Sequence, residues 1–116
     1  MTPDVEALVL KILSGLGTVS TKVPNPRPDE FVRVSLAGGS GDQFLDDVSL
    51  IVEAWAPTTV RASELARAAR AALHEARFNV VDGWQIYGVS SAYPACFPDD
   101  VSERYQFLTS VRVRRA

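Results

Sequence analysis

The sequence predicts an α+β fold: a mostly antiparallel sheet with two helices packed on one face, in the order α-β-β-β-α-β-β, over a single domain spanning residues 1–116. Three observations lead there. Val5, Leu8, Val9, Ile12, Leu13 and Leu16 recur at helical spacing near the start. Leu65, Ala69, Ala72, Leu73 and Ala76 do so again, in one stripe of an amphipathic helix. Between and after these stretches the chain alternates with period two and is rich in β-branched and aromatic residues, the pattern of strands buried mainly on one face.

The first helix is placed at Pro3 to Leu16. Thr2 caps it, Pro3 takes the first helical position, and Asp4 faces the positive end of the dipole; Gly15 and Gly17 end it. Thr18 to Val23 makes a short strand. The run Pro24-Asn25-Pro26-Arg27-Pro28 then reads as a stiff extended connection, because alternate prolines cannot join a central ladder. Glu30 to Ala37 alternates, Gly38 to Asp42 is expected to turn the chain, and Asp47 to Ala56 returns as the antiparallel partner. Pro57 stops that strand, Thr58 or Thr59 caps the second helix, and the helix runs from Val60 to Ala76. Strands over Trp84 to Tyr93 and Arg104 to Arg114, joined by a loop, complete the chain.

The composition is that of an ordinary globular domain: 47% apolar and 22% charged residues. A net charge of −2 gives no electrostatic pull toward nucleic acid or a membrane surface. No apolar run is long enough to span a bilayer as a helix. The start, MTPDVEAL, carries acids where a secretion signal carries bases. Cys96 is the single cysteine, so no intramolecular disulfide forms, and a cytosolic folding compartment is the simplest expectation.

Sequence patterns also argue against common chemistries. His74 is the one histidine, so histidine-based triads and two-histidine metal motifs are excluded. Asp46-Asp47 and Asp99-Asp100 lack the spaced oxygens and central glycine of a calcium loop. The stretch Gly38-Gly39-Ser40-Gly41 lacks the Gly-Lys-Ser/Thr ending of a phosphate loop and the spacing of a nucleophile elbow. The chain is expected to be no enzyme and to need no metal or cofactor.

Face assignment supplies the candidate functional residues. Val32, Val34, Leu36, Val48, Leu50, Val52, Phe107, Val111 and Val113 share the face that the helices cover. The opposite face has no helix to cover it, yet carries Phe31, Ile51, Trp55 and Leu108 among its arginines. So many large apolar groups on an open face point to a subunit interface. On the second helix, Arg67, Arg70 and Arg77 share one side with His74, a basic surface for an acidic partner or for passing DNA.

The order and character of these elements resemble a known family. The helix VEALVLKILSGLG, the stretch KVPNPRP, the strands FVRVSLAG and DDVSLIVEAWA, the helix SELARAARAAL and the strands GWQIYGVSSAY and RYQFLTSVRVRR are similar to those of tail terminators, the head–tail joining proteins of long-tailed bacteriophages. The resemblance implies a structural protein of the virion tail, assembled in the host cytoplasm. It would form a ring, commonly a hexamer, at the head-proximal end of the tail tube. The ring would stop tube polymerisation and join a head-completion or connector protein, with DNA passing through it. The partners implied are further copies of the chain and the tail-tube protein. Another neck or minor tail component of similar fold, or a small nucleic-acid-binding module using the arginines, is the alternative.

Overall fold

The computed structural model describes residues 3–42, 45–98 and 102–116. Helix α1 is Val5–Leu13, prolonged by a tight 3-10 turn, Ser14–Leu16. Asp4 caps it, its side chain accepting from the Ala7 amide at 3.1 Å; the expected Thr2 cap lies outside the described residues. The strands are β1 (Val19–Ser20), β2 (Phe31–Gly41), β3 (Asp46–Ala56), β4 (Val80–Val81), β5 (Trp84–Ser91), β6 (Ala95–Cys96) and β7 (Glu103–Arg115), with α2 (Thr59–Glu75) between β3 and β4. The five strands expected from sequence are all present; β4 and β6 are two-residue additions. Thr58 caps α2, accepting from the Arg61 amide at 3.2 Å.

The sheet order is β1-β2-β3-β7-β5-β4, with β6 pairing β7 beyond the end of β5. Every pair is antiparallel except β1 with β2. That exception follows from the proline-rich stretch, which carries the chain back far enough for β1 and β2 to run the same way. A thirteen-residue strand such as β7 spans about 44 Å at about 3.4 Å per residue, which accounts for the 43 Å long axis of the molecule.

Both helices pack on the same face. Val5, Leu8, Val9 and Leu13 of α1 and Leu65, Ala66, Ala69 and Leu73 of α2 close over Val32, Val34, Leu50, Val52, Phe107, Val111 and Val113. Each large side chain buried there contributes about 1.5–3 kcal/mol. The small alanines of α2 let its backbone approach the sheet closely. Thr109 shares the buried face, and its hydroxyl is satisfied by Ser91 Oγ at 2.8 Å and the Ser90 carbonyl at 3.2 Å.

Two sequence expectations are corrected here. Leu36 was placed in the core but is 55% exposed, and Val48 is only half-buried. At this end of the β2–β3 hairpin the start of α1 stands across a groove from Leu36 and Val48, so the helical layer covers them only in part. The glycine stretch is strand rather than turn: β2 continues to Gly41, with a bulge between Leu36 and Gly38, and the reversal lies beyond it. Gly38 and Gly39 hold φ of 110° and 145°, and a Cβ on Gly39 would lie 2.8 Å from Val48 Cα. Only glycine accommodates both the backbone conformation and that approach.

Candidate functional site

Residues directly opposed in antiparallel strands project to the same face, so the register fixes the composition of the face without helices. Row by row it carries Phe31, Trp55 and Arg104, then Arg33, Glu53 and Gln106, then Ser35, Ile51 and Leu108. Serine and glycine follow in Gly38, Ser49, Ser110 and Ser90, and then Ser40, Asp47, Arg112 and Gly88.

The first row corrects the expectation of a bare apolar face. Phe31 is 1% and Trp55 5% exposed. Their rings stack at 5.3 Å between centroids and 16° between planes. Arg27, delivered by the proline-rich stretch, lies 4.6 Å from the Trp55 centroid, and Arg104 lies 5.1 Å from it. A guanidinium plane over an indole is both a cation–π contact and an apolar lid. Arg27 is itself held through Ser102 Oγ at 2.6 Å. Glu53, only 7% exposed, accepts from Trp55 Nε1 at 3.2 Å and faces Arg33 at 3.4 Å and Arg104 at 3.8 Å. A buried carboxylate needs such partners. Periodicity identified the face but could not show that an arginine from the preceding loop would close over it. The arginine within the proline run, ahead of an aromatic strand, is the signal that was there.

Ile51 and Leu108 form a directly opposed pair in the middle of this face. Leu108 is 50% exposed and Ile51 half-buried. Ser35 beside them has a buried hydroxyl with no hydrogen-bond partner. Among the described residues this centre is left partly open to solvent.

The arginines of α2 do not act as one stripe. Arg67 is exposed and bonded to Ser63 Oγ at 3.3 Å. Arg70 is half-buried, reaching to the Ser91 carbonyl at 3.3 Å and lying 5.6 Å from the Tyr93 ring. Arg77 lies just past the helix, over Phe78 at 4.7 Å. Arg70 is thus engaged with the sheet rather than part of one basic surface, because the end of β5 lies within reach of its long side chain.

Among the described residues no three His, Cys, Asp or Glu side chains are grouped as metal ligands would be. His74 and Cys96 are exposed, and Asp99-Asp100 lies outside the described residues. The Tyr105 phenol is pushed up from its ordinary value, first by desolvation and then by the Cys96 thiol. No described helix is long and apolar enough to cross a membrane. A groove of about 330 Å³ lies between the start of α1 and the β2–β3 arm, and another of about 380 Å³ opens on the face without helices, lined by Asp47, Arg77, Tyr87, Ser110 and Arg112.

No protein-family model matches the chain, and no curated protein matches it in sequence. Among solved structures the fold is shared with a chain described as "Virion of native gene transfer agent (GTA) particle". The TM-score is 0.70 at 18% identity, over 95% of this chain and 94% of that one. At that identity the likeness is one of fold, and it extends over essentially the whole of both chains.

Proposed function

We propose that the chain is a structural subunit of a phage-like virion, and specifically a tail terminator. In this role it assembles as a ring, hexameric in the family it resembles, on the head-proximal end of the tail tube. There it stops tube growth and offers the surface on which a head-completion or connector protein seats. The carrying observation is the end-to-end fold likeness to a chain of a gene transfer agent virion. It joins the order of elements that resembles tail terminators in sequence. An uncovered apolar pair, Ile51 with Leu108, on a sheet face without helices suits a protein that works by contact. Glu53 and Arg104 are spent on packing around Trp55, which also fits a structural role.

The second reading is another neck or minor tail component, since the same fold likeness supports it equally. A nucleic-acid module is disfavoured by the net charge of −2 and by the engagement of Arg70 with the sheet. Mass measurement of the purified chain, alone and mixed with tail-tube protein, tests the proposal. A defined ring bound to tube ends supports it; a chain that stays monomeric and unbound in both conditions contradicts it.

A further inference from the structure

Strand β2 borders the sheet for most of its length. Among the described residues β1 pairs with its outer side only at Val32 and Arg33. The Val32 amide donates outward, to the Thr18 carbonyl at 2.9 Å. Residues that turn their backbone groups outward alternate with those that bond β3. By the register the outward ones are Val32, Val34 and Leu36 and, past the bulge, Gly39 and Gly41. Val34 is buried, but every residue from Leu36 to Gly41 is exposed. Among the described residues no strand pairs with this last part of β2 on its outer side.

Proteins guard such an edge with a lysine, another charge or a proline, because an open ladder recruits other strands. Leu36-Ala37-Gly38-Gly39-Ser40-Gly41 has none of these. The bulge between Leu36 and Gly38 bends the edge but leaves Gly39 and Gly41 turned outward. An unguarded edge of this kind is suited to being covered by another chain.

The groove between the start of α1 and this arm says what kind of chain. Leu36, Gly39 and Val48 line it on the sheet side, and Asp4, Glu6 and Asp46 bring carboxylates to it. Asp4 spends one oxygen on the Ala7 amide. Among the described residues none of the three acids is in an ion pair. Apolar surface under an acidic rim matches a lysine or arginine, whose stem lies on carbon while its head reaches a carboxylate. The volume of about 330 Å³ is at the small end of the range for ligand pockets, about 300–1,000 Å³. It suits side chains from a segment laid along the edge.

We infer that the Leu36–Gly41 edge of β2 takes an added strand from a partner protein, an extended segment whose basic and apolar side chains enter this groove. Side chains opposite Leu36 and Gly39 share their face, which is the groove side. The alternate side chains lie on the open face beside Ser40. Main-chain bonds to β2 hold the segment, and the groove selects it by charge. A second copy pairing through the same edge would set two acidic rims side by side, so charge disfavours it. The contact is separate from the capping role and stands whether or not the chain caps tail tubes.

The probe is a short blocked peptide in which lysine, valine and lysine alternate with threonine, titrated into the isotopically labelled chain and followed by NMR. Saturable binding is expected, with the largest amide shifts at Leu36, Gly39 and Gly41. Glu6→Lys with Asp46→Lys, checked for folding by circular dichroism melting, is expected to weaken binding at least about tenfold. Glu6→Gln with Asp46→Asn, gentler on the fold, is expected to weaken it in the same direction. Methylating the peptide amides of one alternate set is expected to cost at least about tenfold and of the other set little, because only one set faces β2. No binding at millimolar peptide would overturn the inference, as would equal binding of a peptide with glutamate in place of lysine. Equal losses from the two methylated sets would overturn it too, leaving mere electrostatic adhesion. Self-association of the parent that excludes the peptide would give the edge to a second copy and overturn it likewise.

Discussion

Trp55 lies flat on Phe31, ring centroids 5.3 Å apart, and the pair is sealed from the solvent side by Arg27. This stack ties the N-terminal end of β2 to the C-terminal end of β3 and pins the proline-rich stretch to the sheet. Trp55→Ala is expected to cost about 3–5 kcal/mol, in line with truncating a buried aromatic, and Trp55→Glu to prevent folding. Arg27→Ala should cost less, about 0.5–2 kcal/mol, with red-shifted tryptophan fluorescence as the indole is wetted. Urea unfolding of the two single variants and the double checks this. Additive losses would mean that Arg27 does not act through Trp55.

The register of β7 gives a contrast between its two faces. Phe107 is 3% exposed beneath the helices, whereas Arg112 projects from the other face in an exposed pair with Asp47. Phe107→Asp should abolish the cooperative melt, because it buries an unpaired carboxylate. Arg112→Asp should fold, losing about 1 kcal/mol or less. Equal melting temperatures for the two would mean that β7 is out by one residue.

Gly39 supports a prediction about backbone. Its φ of 145° and its approach to Val48 exclude a side chain. Gly39→Ala is expected to cost about 1–3 kcal/mol and to loosen the arm rather than the core. Hydrogen exchange should then speed up at Gly38 and Ser40, whose amides face β3, while Val52 and Phe107 stay protected. Unchanged exchange in the arm would contradict the extended conformation of the glycine run.

The two α2 arginines should separate in stability measurements. Arg70→Ala loses the bond to Ser91 and part of the packing on Tyr93, a loss of about 0.5–1.5 kcal/mol. Arg67→Ala, exposed and bonded only within its own helix, should stay within about 0.5 kcal/mol of the parent. Identical melting curves would restore the picture of a uniform solvated stripe.

The element order was legible in the sequence because periodicity and turn chemistry agreed. The α2 stripe and the alternation of Asp47 to Ala56 each pointed to one structure. Errors arose where a residue's surroundings come from a distant part of the chain. Leu36 has the core parity, yet a groove separates it from the start of α1. Trp55 has the open-face parity, yet Arg27 closes over it. The glycines from Gly38 to Gly41 read locally as a turn, but pairing with β3 holds them extended. The candidate site was legible only at Ile51 and Leu108, whose surroundings are set by the sheet itself.

The most direct measurement is tail-tube length. Tail-tube protein is polymerised with and without this chain, and the tubes are imaged by electron microscopy. If the chain is a tail terminator, tubes grown with it carry a ring at one end and stop elongating from that end when more subunits are added. Tubes that keep growing at both ends in its presence, with no ring attached, would contradict that function.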